Sequence, residues 1–265
     1  MIGGTTRLVG LLRDPLAQSL SPKMQNAAFA AAGLDWAYVP LGVEPAALET
    51  AIAGLGALGF VGANVTIPHK LGAVAYCDEL DPVAERAGSV NTLVIRDGRI
   101  RGFSTDGLAV VESTDVAGAR VLMLGAGGAA QAVACAVAEA GAAAVVVSSR
   151  TAARAGGLTA RLQSLYDVEV ELREQWPPSA DDIDVVIHAT PVKDDPLVQL
   201  RAEQRAVDMA YLVDRDTAFV AAARAAGCSS VVDGLELLVR QGAASFERWT
   251  GLEAPVEVMR AAVRE

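Results

Sequence analysis

The chain has 265 residues, 52% of them hydrophobic and 5% aromatic, and a formal net charge of -10. Such a composition builds its core mostly from Ala, Val and Leu, and the length suits one large domain or two smaller ones. The negative balance argues against a general attraction to nucleic acid or anionic membrane, so an anionic ligand has to be met by individually placed Lys and Arg residues. No apolar run approaches the roughly 20 residues needed to cross a bilayer. Met1 to Arg13 lacks the basic region and long apolar block of a signal peptide, so the protein is expected to be cytoplasmic. Cys77, Cys135 and Cys228 are far apart and odd in number, and are expected to be buried free thiols in a reducing compartment. His69 and His188 are the only histidines, and no Cys/His spacing resembles a metal site, so no metal is expected.

The first third alternates strand and helix patterns. Leu8 to Leu12 is a short apolar run that predicts a strand. Ser21-Pro22 predicts a helix start, with serine as N-cap and proline in the first turn, and the helix runs through Met24 to Ala32 and stops at Gly33. Trp36 to Val43 reads as a strand, Pro45 to Leu55 as a helix opened by proline, and Phe60 to Val65 as the next strand. Val90 to Ile95 and Ile100 to Phe103 flank Arg96-Asp97-Gly98-Arg99, a hairpin signal because Asp-Gly supplies the turn. A second pattern begins near Gly118. Arg120 to Leu124, Gly128 to Ala140 and Ala144 to Ser148 read as a βαβ unit. Strands are expected at Val168 to Leu172, Val185 to His188, Val207 to Ala210 and Ser230 to Val232. Helices lie between them at Thr151 to Tyr166 and Thr217 to Ala226. This alternation predicts a mostly parallel, doubly wound sheet. Two helices close the chain, Gly234 to Trp249 and Pro255 to Arg264.

Three features carry chemistry. Asn64-Val65-Thr66-Ile67-Pro68-His69-Lys70 places an ammonium just past a strand end, behind a proline, with Asn64 and Thr66 on one side of the strand and Val65 on the other. Asp106 follows another strand end in Gly102-Phe103-Ser104-Thr105-Asp106-Gly107; it could also cap the helix after it. Gly125-Ala126-Gly127-Gly128-Ala129-Ala130 lies between a strand and a helix, the context a dinucleotide turn requires. Gly125 would make the tight turn, Gly127 would let the backbone approach a pyrophosphate, and Ala130 would allow close helix–strand packing. The first-turn N–H groups and dipole of the helix would then face the phosphates. The second strand ends Ser148-Ser149-Arg150-Thr151, with Arg154 beyond, where NAD-binding versions carry an acid for the ribose 2′-OH. Arg150 can pair with a 2′-phosphate and stack on adenine, so NADP(H) is expected; Arg154 equally suits a solvated helix start. A lysine, an aspartate and a dinucleotide turn together point to reduction of a carbonyl or oxidation of an alcohol.

Taken together these runs resemble the shikimate dehydrogenase (shikimate/quinate dehydrogenase) family over essentially the whole chain. The resemblance rests on Ser19-Leu20-Ser21, Asn64 to Lys70, Gly88-Ser89-Val90-Asn91-Thr92, Thr105-Asp106, Gly125 to Ala130 and Ser149-Arg150-Thr151. It rests also on Leu237-Leu238-Val239-Arg240-Gln241-Gly242. It implies an α/β fold: an N-terminal α/β substrate domain over residues 1–105 and 235–265, and a Rossmann-like, doubly wound parallel-sheet NADP domain over 106–234. The last helices would return to the first domain. It implies reversible, NADP-dependent reduction of 3-dehydroshikimate to shikimate, with Lys70 as general acid/base and Asp106 as its partner. By the same resemblance Ser19 and Ser21 would hold the carboxylate. Asn64, Thr66, Asn91, Asp106 and Gln241 would surround the ring hydroxyls, and Tyr211 would close the site. The cofactor would meet Gly125, Ala126, Gly127, Gly128, Ala129, Ser149, Arg150, Thr151, Arg154, Thr190 and Gly234. No nucleic acid or membrane partner is implied, and a homodimer is one option.

Bland roles compete for several of these residues. Ser21 would cap a helix whatever else it does, Asn91 could be a strand-end turn residue, and Gln241 could face solvent. His69 reads as structural, and His188 as a satisfied core or strand-end histidine. Ser104 stands where the family usually has asparagine, and Ser149 replaces another. His188-Ala189-Thr190-Pro191-Val192-Lys193 resembles the family's Asn-Ala-Thr loop without its usual glycine, and Tyr211-Leu212-Val213 lacks the usual proline. A quinate/shikimate or aminoshikimate dehydrogenase is the nearest alternative activity, and a non-catalytic NADP or shikimate sensor a more distant one.

Overall fold

The computed structural model describes residues 2–16 and 19–265. The chain folds as two compact units, one formed by Met1–Thr105 with Leu238–Glu265, the other by Asp106–Leu237.

The first unit holds strands β1 (Arg7–Arg13), β2 (Trp36–Gly42), β3 (Phe60–Val65), β4 (Glu79–Leu80), β5 (Thr92–Arg96) and β6 (Arg99–Phe103). They form one sheet in the order β2-β1-β3-β5-β6-β4. β1 pairs in parallel with β2 and β3, whereas β5 runs antiparallel to both β3 and β6. The β5–β6 turn is a tight one in which Asp97 and Gly98 both take positive φ, 52° and 74°. That geometry suits an Asp-Gly pair and matches the twist of the flanking strands. Helices α1 (Ser21–Ala31), α2 (Leu48–Ala57) and α3 (Pro82–Ala87) belong to this unit. A 3₁₀ turn, Pro45–Ala47, precedes α2, so the proline opens that turn rather than the α-helix itself.

A local expectation fails at the start of α1. Ser21 is not the N-cap of α1: Leu20 holds that position and no side chain caps the helix. Ser21 is the first helical residue, and its backbone N–H donates to the Ser19 hydroxyl at 3.3 Å. Proline at the second helical position has no N–H to offer a cap, which removes one of the donors a capping serine serves.

The second unit holds β7 (Arg120–Leu124), β8 (Ala144–Ser148), β9 (Glu169–Leu172), β10 (Val185–His188), β11 (Arg205–Asp208) and β12 (Ser230–Val232). All pair in parallel, in the order β12-β11-β10-β7-β8-β9. Helices α4 (Asp106–Val111), α5 (Gly128–Glu139), α6 (Ala152–Leu165) and α7 (Ala218–Ala225) are its connections. Val121 and Met123 of β7 join a core with α5 and α6, and Leu122 and Leu124 join the opposite core with Phe219 of α7. A sheet covered on both faces buries every residue of its central strands, so they read as unbroken apolar runs.

At the start of β7, Arg120 pairs with Glu169, Glu171 and Asp182, and Arg173, just past the end of β9, pairs with Glu171 at 2.6 Å and Asp182 at 2.5 Å. The hydrogen bond from Arg173 holds the Asp182 carboxyl at about 2, below the usual carboxylate range. A depressed carboxylate stabilises the fold above its unfolded pKa, and that contribution is lost as pH falls toward the folded one. Of the three thiols only Cys135 is buried; Cys77 and Cys228 are half-buried, a correction to the expectation for those two. Burial nonetheless pushes the Cys77 thiol up to about 11.

The last helices are α8 (Gly234–Thr250) and α9 (Val256–Arg264). Trp249 of α8 donates its indole N–H to the Leu93 carbonyl at 2.9 Å, directly over Gly62 of β3. A Cβ at Gly62 would lie 2.5 Å from the Trp249 indole nitrogen and would collide with the Leu93 carbonyl. Phe29 of α1 stacks on Phe246 of α8 at 5.6 Å between ring centres. Aromatic burial of this kind holds the returning segment to the sheet.

Gly62→Ala should therefore destabilise the first unit by about 2–4 kcal/mol, through overpacking of backbone against an indole. A urea melt within about 0.5 kcal/mol of the parent would show that Trp249 is not seated on β3 as described. In acid, the parent should lose stability between about pH 4 and pH 2 as Asp182 takes up its proton, and Arg173→Met should flatten that limb. An unchanged acid limb would remove Arg173 as the cause.

Candidate active site

Three predicted substrate residues of the first unit, Asn64, Asn91 and Gln241, are linked near the end of β3. Asn64, the penultimate residue of that strand, is buried. Its Oδ1 accepts from the Tyr38 hydroxyl at 2.8 Å. Its Nδ2 faces the Asn91 carbonyl at 3.0 Å, Thr92 Oγ1 at 3.2 Å and Ser245 Oγ at 3.0 Å. Two N–H groups meet three acceptors, so the nitrogen side of Asn64 is committed to the protein and only Oδ1 keeps a spare lone pair.

Asn91 links the next two segments. Its Oδ1 accepts from the Thr105 backbone N–H at 3.0 Å, and its Nδ2 donates to Thr105 Oγ1 at 2.9 Å. Thr105 Oγ1 lies 3.1 Å from the Gln241 carbonyl, which also accepts from Ser245 at 2.9 Å. The Gln241 side chain donates to the Leu238 carbonyl at 2.7 Å. Asn64, Asn91 and Gln241 are thus brought together through Tyr38, Thr92, Thr105 and Ser245. Ser245 was not anticipated from sequence, although it sits four residues after Gln241 on the same helical face. Nor were Tyr38 and Thr92, which are ordinary strand residues by pattern.

Lys70 is tied to this assembly through its backbone: its carbonyl accepts from the Val90 N–H at 2.9 Å, one residue before Asn91. His69 beside it is buried, with Nε2 2.8 Å from the Val43 carbonyl, so it is structural. Thr66 differs from Asn64: it is half-buried, and its hydroxyl has no partner among the described residues. Ser19 and Ser21 stand together at the start of α1.

In the second unit the dinucleotide turn has the expected form. Gly125 has φ +116°, and a Cβ there would lie 2.8 Å from the Ala189 carbonyl oxygen and 3.3 Å from Thr190 Cγ2. Glycine is therefore demanded both by the dihedral and by the loop behind it. Gly127 caps α5, and a Cβ there would meet nothing within 4 Å. No protein packing requires glycine at that point, which suits a backbone left open for a phosphate. Ala126 and Ala130 are buried and Ala129 is half-buried, while the first-turn N–H groups of α5 point outward as helix geometry dictates. Gly234 packs so closely on the Ala210 carbonyl that a Cβ would overlap it.

Asp106 is the first residue of α4 and is buried. Gly107 beside it approaches α5 closely enough that a Cβ would lie 2.6 Å from the Ala132 carbonyl oxygen. The helix that starts at the dinucleotide turn thus also fixes the helix that starts at Asp106. At the end of β8, Ser149 is half-buried, and Arg150, Thr151 and Arg154 are exposed. Neither arginine has a side-chain partner among the described residues, and no acid follows the strand before the helix. This end fits the adenosine 2′-phosphate of NADP better than a bare ribose. Tyr211 is half-buried, with the Lys193 ammonium 5.7 Å from its ring centre. Among the described residues no group of His, Cys, Asp and Glu could hold a metal.

Three family models cover this chain: a shikimate dehydrogenase substrate binding domain over residues 11–93, a shikimate/quinate 5-dehydrogenase over 108–215, and a shikimate 5′-dehydrogenase C-terminal domain over 234–264. The NADP(+) shikimate dehydrogenase of Moorella thermoacetica is 43% identical, across 100% of this chain and 95% of its own. The chain belongs to the shikimate dehydrogenase family. Among solved structures, a shikimate dehydrogenase in complex with NADP+ matches with a TM-score of 0.89 at 35% identity, over 99% of this chain and 96% of its own. The family fold also serves other substrates. The ligand-free 5-ketofructose reductase of a Gluconobacter species matches with a TM-score of 0.87 at 32% identity, over 98% of this chain and 99% of its own.

Asn64→Leu should lower the unfolding free energy by about 2–4 kcal/mol with no substrate present, because Tyr38 and Ser245 lose a buried partner. Thr66→Val should change it by about 0.5 kcal/mol or less. Equal effects in denaturant melts would mean that Asn64 does not hold the network together.

Proposed function

We propose that this member of the family is a shikimate dehydrogenase, interconverting 3-dehydroshikimate and shikimate with NADP as cofactor. One observation carries the reading: the chain matches NADP-dependent shikimate dehydrogenases from end to end, and it keeps Lys70 and Asp106. The bare arginine at the end of β8 supports NADP over NAD. No described helix is long and apolar enough to cross a membrane, and the cysteines are free thiols. A reducing compartment, the cytoplasm, fits both.

The chemistry asks two things of the protein. The bound nicotinamide supplies or accepts the hydride at the substrate carbon. Lys70 gives a proton to the carbonyl oxygen as it becomes a hydroxyl, and takes it back in the oxidation direction. Asp106 is its carboxylate partner, stabilising and orienting the ammonium. Ser19 and Ser21 hold the substrate carboxylate, and Thr66, Asn91, Gln241 and the spare lone pair of Asn64 meet the ring hydroxyls. Tyr211 closes over the ring from the cofactor side. Residues 125–129, Ser149, Arg150, Thr151, Arg154, Thr190 and Gly234 hold the cofactor. The first unit is then the substrate domain and the second the NADP domain.

Purified protein should oxidise shikimate with NADP+ far faster than quinate, and faster than with NAD+. Rapid quinate turnover, or reduction of 5-ketofructose in place of 3-dehydroshikimate, would move the protein to another branch of the family. Lys70→Ala should cut kcat by about 10²- to 10⁴-fold while KM for shikimate stays within a few-fold. A rise in KM with kcat intact would reassign Lys70 to binding. Arg150→Ala should weaken NADPH by about tenfold or more and leave NADH nearly unchanged. Equal losses would take Arg150 away from the 2′-phosphate.

A further inference from the structure

The β5–β6 hairpin carries its charge on one face. Arg96 stands directly opposite Arg99, Val94 opposite Arg101, and Thr92 opposite Phe103. Alternation along each strand therefore puts Val94, Arg96, Arg99, Arg101 and Phe103 on the same side. On that side α8 covers the neighbouring strand, with Trp249 over Gly62, the ladder partner of Val94. Past α8 the face stays open as a groove of about 630 Å³. Glu247 and Arg248 of α8 and the segment from Asp78 to Pro82 line its sides. None of the residues expected to meet substrate or cofactor lines it.

The charges of the groove are not matched in pairs. Three of its carboxylates hold backbone N–H groups. Asp78 accepts from Ile100 at 2.7 Å, Asp81 from Ala84 at 2.8 Å at the start of α3, and Glu247 from Ala254 at 3.2 Å. Glu79 pairs with Arg101 at 3.2 Å. Arg96, Arg99 and Arg248 form no salt bridge among the described residues. The sheet order β3-β5-β6-β4 also separates the signs: Asp78, Glu79 and Asp81 lie on the β4 side, Arg96 and Arg248 on the α8 side. The charge of Asp81 does reach Arg248, but burial works against that charge by pushing the carboxyl up.

The cations are nevertheless held in place. Arg96 donates to the Arg248 carbonyl at 3.3 Å. The guanidiniums of Arg101 and Arg248 both lie over the buried Phe103 ring, at 5.0 and 5.2 Å from its centre. One ring thus keeps two guanidiniums at the groove. Arg96 and Arg99, like charges directly opposite each other on paired strands, repel unless an anion lies between them and solvent. A guanidinium presents a planar fork of donors that matches the oxygens of a phosphate or a carboxylate.

We propose that this groove is a binding site for a small ligand bearing an oxyanion, a phosphate or carboxylate group met by Arg96, Arg99 and Arg248. The site is separate from the residues read as holding substrate and cofactor, and it stands whether or not that reading does.

The test is a titration of the full chain with inorganic pyrophosphate at constant ionic strength, read at the arginine ¹⁵Nε–H signals, with citrate as the carboxylate arm. The signals of Arg99 and Arg248 should shift together and saturate with one Kd. Arg99→Ala should raise the Kd read at Arg248 about tenfold or more. Arg150→Ala removes the same charge from the predicted 2′-phosphate site and should leave that Kd within about twofold. Arg99 is exposed and stacks on no ring, so its alanine variant should fold. Tighter pyrophosphate than citrate makes the occupant a phosphate compound, and the reverse makes it a carboxylate. Shifts that rise linearly with either anion, shifts confined to Arg150, an unchanged Kd in Arg99→Ala, or equal losses in the two variants each overturn the site.

Discussion

The amide of Asn64 is the interaction on which the substrate-side unit depends. It touches β2 through Tyr38, the 91–92 segment through Asn91 and Thr92, and α8 through Ser245. Ser245 is 181 residues from Asn64 in the sequence. A carboxylate at this point would lack donors for Ser245 and the Asn91 carbonyl, and an apolar side chain would take an acceptor from the Tyr38 phenol. The close pack of Gly62 under Trp249, two residues upstream on the same strand, holds α8 at the distance these hydrogen bonds need. Lys70 inherits its position from this arrangement, through Val90.

The second unit places its predicted cofactor residues at strand ends. The residues expected to meet cofactor or substrate follow the carboxyl ends of strands: Gly125 after β7, Ser149 and Arg150 after β8, Thr190 after β10, Tyr211 after β11. Parallel strands bring these ends to one edge, and the helices that follow turn their N-termini to it. Arg120 opens β7 and Arg173 follows the end of β9, and both pair with Glu171 and Asp182.

His188 shows how a departure from the family's pattern can be absorbed. An imidazole buried between a carboxylate and a hydroxyl satisfies all three groups, so the substitution leaves no polar atom unpaired. Ser104, the other departure beside Thr105, has a buried hydroxyl without a partner.

Much of this protein is set by local sequence. Apolar runs, glycines and the Asp-Gly turn place β3, β7, β8, β10 and β12 at the residues expected, because burial on both faces and left-handed turns each demand particular residue types nearby. The same holds for the dinucleotide turn, where Gly125 needs a positive φ, and for the acid-free end of β8. Ends of helices were less legible, since a cap depends on where the preceding chain lies; Ser21 has the right chemistry but sits one position too late. Tertiary structure alone decided that Asn64 spends its nitrogen on Asn91, Thr92 and Ser245 while Thr66 stays open, and that His188 finds a carboxylate twenty residues away. No local pattern encodes those choices, because a hydrogen bond reads distance and direction in space, and both are fixed only when the sheets have formed.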